Sequence, residues 1–339
     1  MDDARNDSAG RPTIRDVARR AGVSVGTVSN VLNRRIAVSD RRRAAVEEAI
    51  AALGFVPNRN AQSLRGRAWR VVGLVVHDTK SSYFAAMLDR FETMGGDLGY
   101  EVMQVLNRGD SEIELRRTRA LIERQVDGLI LVPTAHPEAT FDLIADSGVP
   151  AVMIDRGMDD PRFDYVTMDN DGAMTELVHA LAARGRKNVR FVVRWPELVT
   201  TRQRMAAFAR EGAKAGIAAQ TLVRDPDDAI FAGQIRDLLA GDKRPDTIVA
   251  SNSIIAEALL LTLSSLRVKI PDDLSVVAFD EPDWAELTTP PLSVVRHPID
   301  LIAQSAWDIL IDRIENGTPP GRRVMHPARV VLRGSVKSV

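Results

Sequence analysis

From Val71 onward, short apolar runs of strand length alternate with stretches whose apolar residues recur at helical spacing. VVGLVV (71–76), EVMQVL (101–106), GLILVP (128–133) and AVMID (151–155) come first; NVRFVV ending at Val193, TIVAS (247–251) and SVVAFD (275–280) repeat the pattern. Apolar runs without polar interruption belong to strands buried on both faces, as in a parallel sheet covered by helices. Two such sets in 339 residues predict two α/β subdomains. Ligands of open α/β sheets sit beyond the carboxyl ends of the strands. A cleft between two subdomains would gather those ends into one pocket.

The first 57 residues follow another rule. Ile14, Val17, Ala18 and Ala21 share a helical face, and Thr13 with Asp16 has the spacing of a capping box. Gly22 ends that helix, Ser24 can cap a second carrying Val28, Val31 and Leu32 inward, and Ser39 can cap a third carrying Val46, Ile50 and Leu53. Three short helices with a tight glycine turn between the first two predict an all-α helix-turn-helix head. Residues 1–10 read as a disordered tail, and residues 58–69 (NRNAQSLRGRAW) offer too few apolar groups for an independent helix and read as a hinge.

Charge separates the same two parts. Residues 1–70 hold 14 Arg against 7 Asp or Glu, a net of +7, and the rest of the chain carries −8. A basic module on an acidic body fits a polyanion-binding head. With no cysteine there is no disulfide framework and no thiolate site. MDDARNDSAGRP lacks the apolar core of a secretory signal, and no apolar run approaches the roughly 20 residues of a membrane span, so a cytoplasmic protein without membrane contact is expected.

TIRDVARRAGVSVGTVSNVLN (Thr13 to Asn33) closely resembles the helix-turn-helix of the lactose-repressor (LacI/GalR) family. VSDRRRAAVEEAIAALGFVPNRNAQSLRG continues the resemblance, and SVVAFDE and TTPPLSVVRHP look like two later signatures. The resemblance implies a DNA-binding regulator: a head (11–57), a hinge helix (58–69) and a periplasmic-binding-protein-like α/β core of two parallel-sheet subdomains (70–339). The implied subdomains are about 70–168 plus 299–327, and about 169–298 plus 328–339. It further implies a homodimer on a palindromic double-stranded operator, because a two-fold axis needs symmetric half-sites.

In such a head the second helix enters the major groove and presents Val25, Gly26, Thr27, Ser29, Asn30 and Asn33. By resemblance Val25, Gly26 and Asn30 hold the specificity positions. Val25 can touch a thymine methyl, Asn30 can pair with a base edge, and Gly26 reads nothing. Thr27 and Ser29 suit phosphates, Ser24 and Thr13 stand at the helix starts, and capping is the simpler role for these hydroxyls. Asn58, Arg59 and Gln62 match the family hinge. The resemblance makes Leu64 a minor-groove wedge; otherwise it packs on protein.

Asp155 and Asp280 end apolar strands and Asn252 follows a third, an arrangement suited to a ligand with many hydroxyls. By resemblance these three and Arg204 are effector-binding, with Tyr83 and Phe84 as an aromatic wall. Core packing, helix capping or surface charge are their plainer roles. His297 stands where family members often carry an amide, and Ser253 where an Asp is common. Trp195 and Trp284 fall in loops at the expected cleft mouth. The expected effector is a small polar molecule, a carbohydrate first and a nucleoside or purine corepressor second.

An enzyme finds little support. His77, His136, His179, His297 and His326 show no metal-ligand spacing, and there is no phosphate-binding loop or nucleophile elbow. No cofactor, metal or catalytic residue is expected. A free solute-binding protein would fit the core but not the basic head.

Overall fold

The structure, a computed structural model, describes residues 12–33, 38–55 and 70–338. The chain forms two compact units, residues 1–69 and 70–339. The expected tail, the hinge and its residues Asn58, Arg59, Gln62 and Leu64 lie outside the described residues.

Among its described residues the head has three helices, α1 (Ile14–Ala21), α2 (Val25–Asn33) and α3 (Asp40–Leu53). The capping box forms: the Thr13 N–H donates to Asp16 Oδ2 at 2.9 Å, and the Asp16 N–H reaches Thr13 Oγ1 at 3.4 Å. Gly22 closes α1 at φ 64°, a left-handed conformation glycine adopts without a Cβ clash. Ser24 Oγ accepts the Thr27 N–H at 3.1 Å and starts α2. Ser39 stands at the start of α3, but its hydroxyl makes no capping bond, which corrects that expectation. Val17, Ala18, Val28, Val46, Ala49 and Phe55 form the buried centre.

The core holds two six-stranded sheets. The first takes β1 (Val71–Val76), β2 (Glu101–Leu106), β3 (Gly128–Leu131), β4 (Ala151–Ile154) and β5 (Asp164–Met168). The second takes β6 (Asn188–Val193), β7 (Ala218–Val223), β8 (Thr247–Ala250), β9 (Ser275–Phe279) and β10 (Ser293–Arg296). The chain then returns to the first sheet as β11 (Arg323–His326) and to the second as β12 (Arg329–Val331). The spatial orders, β11-β5-β4-β3-β1-β2 and β12-β10-β9-β8-β6-β7, match position by position. Among the described residues only the β10–β12 pair is antiparallel.

Helices α4 (Ser82–Asp97), α5 (Ser111–Glu123) and α6 (Glu138–Ser147) belong to the first half. The second half has α7 (Asn170–Ala183), α8 (Val199–Ala215), α9 (Asp228–Ala240) and α10 (Ser253–Ser265). The later α11 (Ile299–Asn316) packs on α4 and on the first sheet. The central strands are buried on both faces. Val277 and Phe279 of β9 enter one apolar cluster while Val276 and Ala278 enter another, the period of two expected of a strand.

Candidate DNA interface and effector cavity

In the head, the start of α2 presents an exposed apolar side chain, Val25 at 41% exposure, beside exposed Gly26. Thr27, Ser29 and Asn30 are half-buried along the same helix, and Asn33 closes it. A Cβ on Gly26 would meet only Ser24 Oγ at 3.6 Å, so head packing does not require a glycine there. Thr13 and Ser24 serve as helix caps, and the Ser24 and Thr27 hydroxyls lie 2.9 Å apart.

In the core, six of the seven expected effector residues are buried: Tyr83, Phe84, Asp155, Arg204, Asp280 and His297. All seven, Asn252 included, line a single cavity at the carboxyl ends of both sheets. Asp155 follows β4 and Asp280 follows β9, strands of equal rank in their sheets. Both adopt left-handed backbone, at φ 64° and 70°. Aspartate tolerates this region better than most residues, and such conformations concentrate at functional sites.

Each carboxylate is held from within the protein. The buried Tyr83 hydroxyl donates to Asp155 Oδ1 at 2.9 Å, and Arg156 Nε stands 3.7 Å from its other oxygen. Burial first, and the Asp155 charge second, push the Tyr83 phenol well above its usual range, so it remains a donor. Asp280 Oδ2 accepts the Ser253 N–H at 3.0 Å, while His297 Nε2 lies 3.1 Å from Oδ1 without hydrogen-bond alignment. Burial pushes the Asp280 carboxyl up, but His297, the Ser253 N–H and Arg204 outweigh it and hold it below the usual range. Asn252 Oδ1 accepts the Ile255 N–H at 2.9 Å, so Asn252 and Asp280 both secure the start of α10.

Arg204 is 7% exposed, so a surface charge on α8 is ruled out. Its Nε donates to Asn170 Oδ1 at 2.7 Å, Nη1 donates to the Ser251 carbonyl at 3.2 Å, and the guanidinium lies 4.2 Å from the Phe279 ring centroid. Burial draws its pKa down, and Asp280 and Asp155 oppose that. No hydrogen bond holds Nη2 among the described residues.

Two ring contacts join the halves across the cavity. His297, after β10, meets Tyr83 in a tilted contact at 4.3 Å, and Trp195, after β6, meets His77, after β1, edge-on at 5.2 Å. His77, Arg156, Arg194 and Trp195 therefore belong to the lining, although the sequence reading left them out of the site. Their signal was positional: each stands at or just past a strand end. Trp284 is elsewhere, beside Leu260 and Leu261 on α10, and the expectation that it lines the cleft mouth is corrected. Its loop forms a short 3-10 helix, Asp283–Glu286, which turns it toward α10.

A helix-turn-helix unit joined to a two-sheet core with a cavity at the strand ends defines a ligand-responsive DNA-binding regulator. Residues 13–58 match the family described as bacterial regulatory proteins, lacI family, and residues 178–336 match the periplasmic binding protein-like domain. The chain is 30% identical over 335 residues to the HTH-type transcriptional repressor PurR of Photobacterium profundum, covering 96% of this chain and 99% of that protein. Its fold matches the lac repressor dimer bound to operator and the anti-inducer ONPF with a TM-score of 0.86, at 23% identity and 97% and 100% coverage. It matches the transcriptional regulator CelR–cellobiose complex with a TM-score of 0.70, at 26% identity and 96% and 100% coverage. The chain belongs to the LacI family and is a DNA-binding repressor. No helix among the described residues is long and apolar enough to cross a membrane.

Proposed function

We propose that a small, polar, ring-shaped effector of the sugar class fills the core cavity and sets the affinity of a homodimer for a palindromic operator in the cytoplasm. The observation that carries this reading is the pair of buried strand-end carboxylates, Asp155 and Asp280, flanking Arg204 Nη2 beneath aromatic faces. Such groups hold ring hydroxyls in a bidentate manner, and flat aromatic surfaces cover the apolar faces of the ring. The 26% identity to CelR, solved with cellobiose, also supports a saccharide. On the DNA side, Val25, Asn30 and the α2 hydroxyls face base edges and phosphates, Gly26 leaves one step unread, and Leu64 with Asn58, Arg59 and Gln62 engages the minor groove.

A nucleobase or nucleoside corepressor is the second reading. The four rings of Tyr83, Phe84, His77 and Trp195 favour a planar ligand, and the whole-length similarity to repressors named PurR agrees with a non-saccharide. A thermal-shift panel of sugars and nucleosides separates the two, because a ligand of the folded state raises the melting temperature. For the ligand found, Arg204→Ala loses about ten- to a hundredfold in calorimetric affinity, the value of bonds to a charged group. Operator affinity without ligand stays near wild type. Unchanged ligand affinity in a folded variant would remove the cavity as the effector site.

A further inference from the structure

We propose that the effector carries an oxyanion, a phosphate ester or a carboxylate, and that the start of α8 with Arg194 holds it. This rests on the cavity being the effector site.

Helix α8 is 17 residues long and starts after the short loop 194–198 that follows β6. The N–H groups of Val199, Thr200 and Thr201 have no acceptor among the described residues, since the first helical bond runs from Arg202 to Leu198. Leu198 occupies the capping position, no side chain caps the helix, and its first turn contains no acid. Helix α4 also starts without a side-chain cap, Asp78 Oδ1 accepting only the Lys80 and Ser81 N–H groups ahead of it, whereas Asn252 and Asp280 hold the start of α10. An uncovered helix start carries partial positive charge and open donors, the features that bind anions.

Independent side chains point to the same ligand. Thr200 is 8% exposed and lines the cavity, and its hydroxyl has no partner among the described residues. Arg194, the first residue past β6, lines the cavity as well. It has no carboxylate partner among the described residues; its guanidinium lies 4.5 Å from the Trp195 ring centroid. Stacking fixes the guanidinium plane and leaves its edge free to donate, the geometry that takes an oxyanion bidentately. The cavity acids are already answered: Asp155 by Tyr83 and Arg156, Asp280 by His297 and Arg204, and Asp78 by backbone N–H groups. Of the cavity arginines, Arg156 stands beside Asp155, while Arg194 has no carboxylate within ion-pair distance among the described residues. Thr200 and Arg204 lie four residues apart on one face of α8, so an oxyanion at the helix start places the attached ring toward Arg204.

The test uses the full chain and matched probes: glucose and ribose, glucose 6-phosphate and ribose 5-phosphate, glucuronate, and inorganic phosphate. Each is followed by calorimetry and thermal shift. At least one anionic probe binds tenfold or more tightly than its neutral parent, and Arg194→Ala and Thr200→Val each abolish that preference. Arg210→Ala, an exposed α8 arginine paired with Asp171, leaves the preference intact and controls for the mere loss of a positive charge on α8. Binding of esters but not glucuronate assigns a phosphate; binding of both assigns the oxyanion in general. Neutral sugars binding better than their anionic forms overturns the proposal and leaves the cavity reading standing. An anionic preference that survives in both variants also overturns it. No response to any probe, with nucleosides binding instead, overturns the proposal together with the sugar reading.

Discussion

Glu114 is a carboxyl on α5 with no exposed surface. Its Oε2 accepts the Asn107 amide at 3.0 Å and the Thr134 N–H at 2.8 Å, and Oε1 accepts the Thr134 hydroxyl at 3.1 Å. Burial outweighs these bonds and pushes its pKa up to about 7. A pKa raised above the unfolded value means that the contribution to stability is present below about pH 4.5 and fades as pH rises through 7. A glutamine keeps all three bonds, with its carbonyl in place of Oε2 and its amide donating to Thr134. Glu114→Gln is therefore expected to stabilise the protein by about 1–3 kcal/mol at pH 8 and by little at pH 5. Arg156 loses an attractive charge in the variant, which keeps the gain below the full shift. Urea melts at the two pH values measure this; a variant less stable than wild type at pH 8 contradicts it. At this scale the strand-end aspartates were legible, because a charge closing an apolar run has few plain explanations. His77 and Arg194 were not, since the pairing of strand ends across two sheets appears only when strand order is known.

The elements divide by how their burial is patterned. Strands buried along their whole length, such as β1, β3 and β9, were read correctly as uninterrupted apolar runs. β5 (DYVTM) is equally buried but starts with Asp164, whose charge is met by Arg313 and by the N–H groups of Gly321 and Arg322, more than 150 residues away in places. No local pattern reveals a compensation of that range. β7, β11 and β12 are part-exposed edge strands, the last two also short, and carry too little apolar signal. The head was legible because its signals are local: caps, a glycine turn and helical spacing. Its best-defined cap yields an element-scale test. Thr13→Ala removes both side-chain contacts with Asp16 and is expected to cost α1 about 1 kcal/mol, with Thr13→Ser restoring it. Hydrogen exchange of α1 amides in the full chain reads the change. If Thr13 acts only as a cap, the salt dependence of operator binding is unaltered; a slope lower by about one phosphate identifies a DNA contact instead.

At the scale of the whole molecule, the boundary at residues 69 and 70 separates the chain into two compact units, one matching a DNA-binding family and the other a ligand-binding domain. The effector cavity lies within the second unit and the helix-turn-helix within the first. Any effect of one on the other is a coupling free energy, and coupling is reciprocal: the factor by which the effector changes operator affinity equals the factor by which operator changes effector affinity. For a typical coupling of 1–3 kcal/mol that factor is roughly 5- to 150-fold. Anisotropy measures operator affinity with and without saturating effector, and calorimetry measures effector affinity with and without saturating operator. The two factors should agree in size and direction, both affinities falling for an inducer and both rising for a corepressor. Deleting residues 1–69 should abolish operator binding and the operator's influence while leaving effector affinity at the DNA-free value. A truncated chain that stays folded but binds effector differently without DNA would show that the head biases the core even in the free protein, and the picture of two units joined only through operator binding would have to be abandoned.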